Sequence, residues 1–168
     1  MKIKTNGGLV EMFCMGLLLL LFGVGAYTLI MMGNDGFARM LARRDASANV
    51  RIALSFAANQ VRNADAGGVS VRETQAGNAL VLTQLFNGAW YETYIYWHDN
   101  TLKECFQAVD TPFAPETGER LTVLGGLILS CPDGQAIQVT AWDGEGADRR
   151  EASLVLVPRG GTDGEARV

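Results

Sequence analysis

The decisive stretch of this sequence reads Leu9-Val-Glu-Met-Phe-Cys-Met-Gly-Leu-Leu-Leu-Leu-Leu-Phe-Gly-Val-Gly-Ala-Tyr-Thr-Leu-Ile-Met-Met32. Glu11 is its only charged residue, and a short basic leader occupies residues 1–8. As a helix the stretch would be about 36 Å long. The hydrocarbon core of a bilayer is about 30 Å thick. The sequence therefore predicts a membrane-spanning helix over residues 9–32.

A secretory signal peptide also combines a basic start with an apolar run, so this alternative has to be weighed. The apolar run here is longer than the h-region of a signal peptide, which has about 7 to 15 residues. No small-x-small cleavage site follows it; instead Gly33-Asn-Asp-Gly36 follows, and then a helical pattern resumes. These features favour a retained membrane anchor.

The charges that flank the apolar stretch do not decide its orientation by the positive-inside rule. Lys2 and Lys4 precede the stretch, whereas Arg39, Arg43 and Arg44 follow it. The remainder of the chain resembles an exported domain. We therefore expect a single-pass protein with a cytoplasmic N-terminus and its C-terminal domain outside the membrane.

Beyond Met32 the chain is long enough for one domain with a modest core. The net charge of the 168-residue chain is −4 at pH 7, and no Lys/Arg stripe is present. Nucleic acid is therefore not an expected partner.

The hydrophobic period changes once along this part of the chain. Residues 33–66 have a helical pattern marked by Phe37, Met40 and Ile52, and Gly67-Gly68 is a typical helix stop. Gly33 and Gly36 are where we expect this helix to bend or loosen. Residues 67–158 alternate with period two between tight turns, which predicts one mainly antiparallel sheet. The predicted strands are Val69–Glu73, Leu80–Thr83, Trp90–Trp97, Thr101–Phe106, Leu121–Leu124, Leu127–Ser130, Gln135–Trp142 and Glu151–Val157.

The fold class that follows is α+β, with a long N-terminal helix packed on an antiparallel sheet. The polar, glycine-rich residues 159–168 are expected to be a disordered tail.

Two of the three cysteines, Cys105 and Cys131, lie in the predicted sheet domain, and Cys14 lies in the apolar stretch. A Cys105–Cys131 disulfide would stabilise the fold by roughly 3 kcal/mol. The alternative is two separate buried thiols.

Few residues are typical of a catalytic or metal site. His98 is the only histidine, and it lies beside a predicted turn. Asp143, Glu145 and Asp148 have a spacing that could place oxygen ligands around Ca²⁺, although they also fit a solvated hairpin tip. We expect no enzymatic activity and no cofactor.

The strand Trp90–Trp97 carries aromatic residues on both faces. One face would pack against the helix. The other face would either complete the core or meet a neighbouring subunit. The aromatic cluster consists of Trp90, Tyr91, Tyr94, Tyr96 and Trp97.

The order of membrane helix, amphipathic helix and antiparallel sheet resembles the type IV pilin superfamily, in particular minor pilins and pseudopilins of Gram-positive-type systems. The resemblance is carried by Gly7-Gly8, Glu11, the apolar run and the hairpin Tyr94-Ile-Tyr-Trp-His-Asp-Asn-Thr-Leu102. It implies a structural subunit that inserts its N-terminal helix into a filament of similar helices.

The resemblance implies that Glu11 pairs with the amine of a neighbouring subunit in the filament core, and that Gly8, or Gly7, precedes a cut by a prepilin peptidase. The family places the glutamate fifth after the cut, whereas Glu11 would be fourth after Gly7 and third after Gly8. The implied partners are other pilin-like subunits and a membrane assembly platform. The alternative is a membrane-anchored sensing or ligand-binding module that does not polymerise; in it, Glu11 would lie at headgroup depth.

Overall fold

The computed structural model describes residues 7–64 and 68–158, so residues 1–6 of the predicted leader at 1–8 and the predicted tail at 159–168 lie outside it. The described chain has one long helix, eight strands and a single 3-10 turn at Gly146–Asp148. The elements are α1 (Gly7–Asn63), β1 (Val69–Thr74), β2 (Gly77–Phe86), β3 (Ala89–His98), β4 (Thr101–Ala108), β5 (Glu119–Val123), β6 (Gly126–Ser130), β7 (Ile137–Asp143) and β8 (Arg150–Leu156). The predicted α+β class is confirmed.

Helix α1 is 57 residues long and is rich in leucine, alanine and methionine, which favour helix. Gly33 and Gly36 lie inside α1. Each costs the helix about 1 kcal/mol relative to alanine, and strong helix formers on both sides maintain the backbone hydrogen bonds. At the C-terminal end, Ala64 N donates to Gln60 O at 2.9 Å. The predicted end at residue 66 lies outside the described residues.

The chain forms two compact units, Met1–Leu41 and Ala42–Val168. In the first unit the described residues belong to α1, and large apolar side chains such as Met12 and Phe22 are exposed along its length. The Thr28 hydroxyl is satisfied within the helix, where it donates to Val24 O at 3.0 Å. By length and composition, α1 contains a segment that could cross a bilayer. This helix and the β domain of the second unit fit a membrane-anchored protein.

The second unit contains two antiparallel sheets rather than the single sheet that we predicted. Strands β1 to β5 form a sheet in sequential order, and β6 to β8 form a second sheet. The change of sheet occurs at Gly125-Gly126, where a Cβ on Gly126 would overlap the Trp142 ring and a Cβ on Gly125 would lie 3.2 Å from Trp142 O. Only glycine allows the chain to approach β7 this closely.

Two-residue turns join β2 to β3 and β3 to β4. Asn87 and Gly88 form the first turn, with φ of 51° and 82°, and Asp99 and Asn100 form the second, with φ of 50° and 53°. Positive φ at both central residues is typical of type I′ turns, whose twist matches that of the strands. The Asp99-Asn100 hairpin was predicted from the sequence and is confirmed.

The main core lies between α1 and both sheets. The α1 side of this core consists largely of small residues such as Ala53, Ala57 and Ala58, so the helix can pack closely on the strands. The sheets contribute Leu80, Leu82, Ile95, Leu102, Leu129, Ile137, Val139 and Leu156. A second, smaller core lies on the opposite face of the five-stranded sheet and contains Ala79, Val81, Tyr94, Tyr96 and Cys105, with Phe113 packed against it.

Candidate functional site

The residues predicted for processing and assembly lie at the start of α1. The helix begins at Gly7, and Gly8 and Glu11 are exposed on it. Glu11 lies between Val10 and Met12, whose side chains are 64% and 75% exposed. Among residues 7–64 and 68–158, no basic side chain forms an ion pair with Glu11. The N-terminal helix therefore presents an apolar surface with one carboxylate near its start.

Polar contacts join the part of α1 in the second unit to the β domain. Arg43 Nε donates to Asp148 Oδ1 at 2.5 Å. Asn49 Nδ2 donates to Asp143 Oδ2 at 2.7 Å, and Asn49 Oδ1 accepts a hydrogen bond of 3.0 Å from Thr122 Oγ1. We call these residues the helix clamp. They link the second-unit part of α1 to β5 and to the β7–β8 connection.

The geometry gives no support to the calcium candidate Asp143, Glu145 and Asp148. Within the described ranges, no group of three acidic, cysteine or histidine side chains is placed to hold a metal ion. Asp143 accepts hydrogen bonds from Asn49 and from the backbone N–H of Gly144, and Asp148 pairs with Arg43. Two of the three carboxylates thus act in the helix clamp.

The possible Cys105–Cys131 disulfide is not formed, and both residues are free thiols. Cys105 lies in the smaller core, where its Sγ lies 3.5 Å from Gln107 Oε1. Cys131 packs against the main core on the other side of the sheet. The alternative of two separate thiols is the one observed.

The aromatic strand β3 divides its side chains between the two cores. Ile95 and Trp97 face α1, whereas Tyr94 and Tyr96 lie in the smaller core. The β4–β5 connection covers the two tyrosines: Phe113 stacks on Tyr94 with ring centroids 4.7 Å apart, and Tyr96 OH donates to Pro115 O at 3.0 Å. This part of the second face is core, and it is not open to a neighbouring subunit.

Sequence reasoning missed a buried charge in β3. Glu92 is only 4% exposed; its Oε1 accepts a hydrogen bond of 2.6 Å from Arg72 Nη1, and its Oε2 accepts one of 2.5 Å from Tyr94 OH. Burial, reinforced by the hydrogen bond to Glu92, raises the pKa of Tyr94 to about 12. The alternation of β3 indicates that Glu92 shares a face with Tyr94, but Arg72 is two strands away, and only the sheet order brings it close.

Comparison with protein families matches residues 48–144 to a domain of unknown function, DUF4860. The chain belongs to the DUF4860 family. The matched region begins within α1 and ends just after β7, so it contains Asn49, most of the main core and the whole five-stranded sheet. No curated protein and no solved structure matches the chain.

A cleft of about 510 Å³ is lined by residues of the DUF4860 region and by residues that follow its C-terminal boundary in the sequence. Asn100, Trp142 and Arg149 are among its lining residues. The Arg149 guanidinium lies 4.8 Å from the centroid of the Trp142 ring, and its Nη2 donates to Glu151 Oε2 at 2.5 Å. The cleft combines an aromatic wall with groups that can form hydrogen bonds.

Two further titratable side chains, His98 and Glu104, are partly buried in the DUF4860 region. His98 is the last residue of β3, and its Nε2 lies 3.2 Å from Asp99 Oδ2; no nucleophile is hydrogen-bonded to it among the described residues. Glu104 accepts a hydrogen bond of 3.1 Å from Gln60 Nε2. Burial, with a smaller contribution from the charge of Glu119, raises the pKa of Glu104 above its ordinary value of 4.5.

Proposed function

We propose that this chain is a minor pilin-like or pseudopilin-like subunit that assembles laterally through its N-terminal helix. One observation carries the proposal: a single helix exposes apolar side chains along its first part and forms part of the β-domain core in its last part. Such a helix can pass from a bilayer into a bundle of similar helices without refolding of the β domain. The proposed role is structural and needs no cofactor.

Glu11 has the assembly role in this proposal. A carboxylate near the bilayer centre costs roughly 2.5 to 3.5 kcal/mol, and less near the end of a span. Glu11 lies one turn from the start of α1. An ionic partner on another subunit would offset this desolvation. A pilin-like neighbour with a free N-terminal amine is the proposed partner.

The β domain would be the part of the subunit exposed outside the membrane, with the N-terminus in the cytoplasm before assembly. Within the second unit, the helix clamp links α1 to the β domain through Arg43 and Asn49. A membrane assembly platform and a prepilin peptidase that cuts after Gly7 or Gly8 are the other proposed partners.

The first test is the intact mass and N-terminal sequence of the protein recovered from its native membranes. Loss of the residues up to Gly7 or Gly8, with the apolar helix retained, is the expected result. An uncut N-terminus would contradict processing, and loss of the whole apolar stretch would show that it is a signal peptide.

The second test is the substitution Glu11→Ala, followed by cross-linking and recovery of pilin-like partners. We expect the β domain to remain folded and co-assembly to be lost, because the partner amine would have no counter-charge. Met12→Ala is the matched control, since it shortens a neighbouring exposed side chain without removing a charge. Normal incorporation of the Glu11→Ala protein would contradict the assembly role.

The cleft beside Trp142 favours a second candidate function, a membrane-anchored sensing or ligand-binding module that does not polymerise. Its lining of Asn100, Trp142 and Arg149 is suited to a small polar ligand with an apolar part. Such a module should remain unprocessed and should not cross-link to pilin-like subunits. The two tests above therefore distinguish the two candidates.

A further inference from the structure

The end of the β2–β3 hairpin exposes a cluster of large apolar side chains. Phe86 is 58% exposed, Phe106 53% and Trp90 47%. We call this cluster the aromatic tip; it consists of Leu85, Phe86, Trp90, Tyr91, Phe106 and Val109. Tyr91 is half-buried because it packs between Phe86 and Phe106.

The aromatic tip covers both faces of the sheet end. Leu85 pairs with Trp90, and two positions further along the ladder Thr83 pairs with Glu92. Leu85 and Trp90 therefore lie on the face of the sheet that carries Tyr94. Phe86 and Tyr91 lie on the opposite face, the one that carries Ile95. Because the exposed side chains surround the end of a hairpin on both faces, they form a projection rather than a groove that could receive a peptide.

The aromatic tip is held in position by its own contacts. The ladder is paired as far as Phe86 and Ala89, and the Asn87-Gly88 turn closes it. Tyr91 and Phe106 stack with centroids 5.0 Å apart, and Phe86 meets Tyr91 edge-on at 6.2 Å. The chain therefore loses little conformational freedom when these side chains are buried by an external surface.

Charge and area restrict what can cover the aromatic tip. No charged residue lies from Thr83 to Tyr91, and the next residue, Glu92, is buried in its ion pair with Arg72. The residue that follows Val109, Asp110, is an exposed carboxylate. Half-exposed large side chains present on the order of 100 Å² each, so the six residues of the aromatic tip together present at most roughly 600 Å². A stable protein dimer buries about 800 Å² on each partner. The area is too small for a second copy, and the tip contains no basic residue that would attract an anionic partner.

We propose that the aromatic tip inserts into the boundary between headgroups and acyl chains of a lipid bilayer, as a membrane contact additional to α1. Tryptophan, tyrosine and phenylalanine are suited to this boundary, because their rings are apolar and Trp and Tyr keep a polar group within reach of water. A fluid bilayer can close around a convex projection, whereas a folded partner would need a matching pocket. Since the tip contains no basic residue, insertion requires no anionic lipid, and with neutral lipid it is insensitive to salt.

The test uses the full chain in phosphatidylcholine vesicles and reads the fluorescence of Trp90. Brominated acyl chains quench tryptophan on contact, and they are placed either in the bilayer that holds the protein or in acceptor vesicles that are added afterwards. The spectrum of the Trp90→Phe variant is subtracted to remove the fluorescence of the other two tryptophans. Trp97 donates a hydrogen bond to Leu124 O at 2.7 Å, and Trp142 lies against Arg149. We expect the Trp90 difference spectrum to be quenched in at least one arrangement, equally at low and high salt.

Two further variants identify the surface responsible. Phe86→Ser should reduce the quenching of Trp90, because it removes an exposed ring of the tip. Ile128→Ser is the matched control, since Ile128 is 55% exposed on the other sheet, and it should leave the quenching unchanged. An unquenched Trp90 in both arrangements, with the fold intact by circular dichroism, would overturn the proposal and leave the tip for a protein partner. Equal effects of Phe86→Ser and Ile128→Ser would also overturn it. The acceptor-vesicle arrangement does not depend on the role of α1 in assembly.

Discussion

At the scale of single residues, the β domain is distinguished by the charges that it buries. Glu92 and Lys103 are 4% and 7% exposed. Lys103 Nζ donates to Pro115 O at 3.2 Å, the same carbonyl that accepts the Tyr96 hydroxyl. A buried polar group is stable only when it has partners. These residues therefore tie the β4–β5 connection and β1 to the centre of the five-stranded sheet.

Arg72→Ala should lower the free energy of unfolding by about 1 to 3 kcal/mol. The reason is that the buried Glu92 carboxylate would keep its hydrogen bond from Tyr94 and lose its ionic partner. Arg62→Ala, an exposed position on α1, is the control. Urea unfolding in detergent measures the change, and equal stabilities of the two variants would show that the Arg72 pair contributes nothing.

Glu104 predicts a pH dependence of stability. Its pKa is raised in the folded state by burial, so the folded chain holds this proton more tightly than the unfolded chain does. The stability contributed by the protonated form is complete below the ordinary value of 4.5 and is lost as the pH rises through the folded pKa. Glu104→Gln should therefore be more stable than the natural protein at neutral pH, and the difference should vanish in acid.

The measurement for Glu104 is urea unfolding over a series of pH values. A glutamine at this position can still accept the hydrogen bond from Gln60, so the comparison isolates the charge. Glu119→Gln should act in the same direction to a smaller extent, because Glu119 is the lesser cause of the raised pKa. A difference in the free energy of unfolding between the natural protein and Glu104→Gln that does not change with pH would be inconsistent with this account.

At the scale of elements, the positions of the helix and the strands could be predicted closely from local patterns. Which elements pair or pack together could be predicted less closely. The apolar run and the alanine-rich segment predicted helix at residues 9–66, and α1 occupies Gly7–Asn63. All eight strands were predicted, but β2 extends from Gly77 to Phe86, beyond the predicted Leu80–Thr83. Its ends continue the pairing with β1 and β3, and this pairing overrides the low strand propensity of Gly77 and Asn78.

The helix clamp predicts a local effect on α1. Asn49→Ala would remove the hydrogen bonds to Asp143 and from Thr122, at a cost of about 1 to 3 kcal/mol. Backbone amides of residues 43–49 should then exchange hydrogen faster, while residues 53–61 stay protected by the main core. Ser47→Ala, at an exposed position of the same helix, is the control. Unchanged exchange at 43–49 would mean that the clamp does not hold this part of α1.

At the scale of the whole molecule, the long apolar helix and the β domain fit a membrane-anchored protein of the DUF4860 family. The family match starts at residue 48 and therefore leaves the apolar part of α1 outside it. Gly7, Gly8 and Glu11 were chosen from sequence alone, and their roles in processing and assembly stay predictions.

Leu20→Lys should weaken membrane retention. A lysine in place of leucine at the centre of a span costs about 3 to 4 kcal/mol. Extraction of membranes with alkaline carbonate should leave the natural protein in the pellet and release part of the variant. Ile128→Lys, also at an exposed apolar position, should remain in the pellet, because Ile128 belongs to the β domain. Retention of both variants alike would argue against residues 9–32 as the anchor.

The helix, the strands, most of their turns and the α+β class could be predicted from local patterns, because periodicity, glycine stops and turn residues act between neighbours in the chain. The division into two sheets, the separation of Cys105 from Cys131 and the pairing of Asp148 with Arg43 follow from tertiary packing. It also decided the burial of Glu92 against Arg72. Each of these depends on which distant segments meet. A polar or charged side chain that becomes buried needs a hydrogen-bonding or ionic partner. The sequence pattern shows that such a side chain is present, but not which residue is its partner.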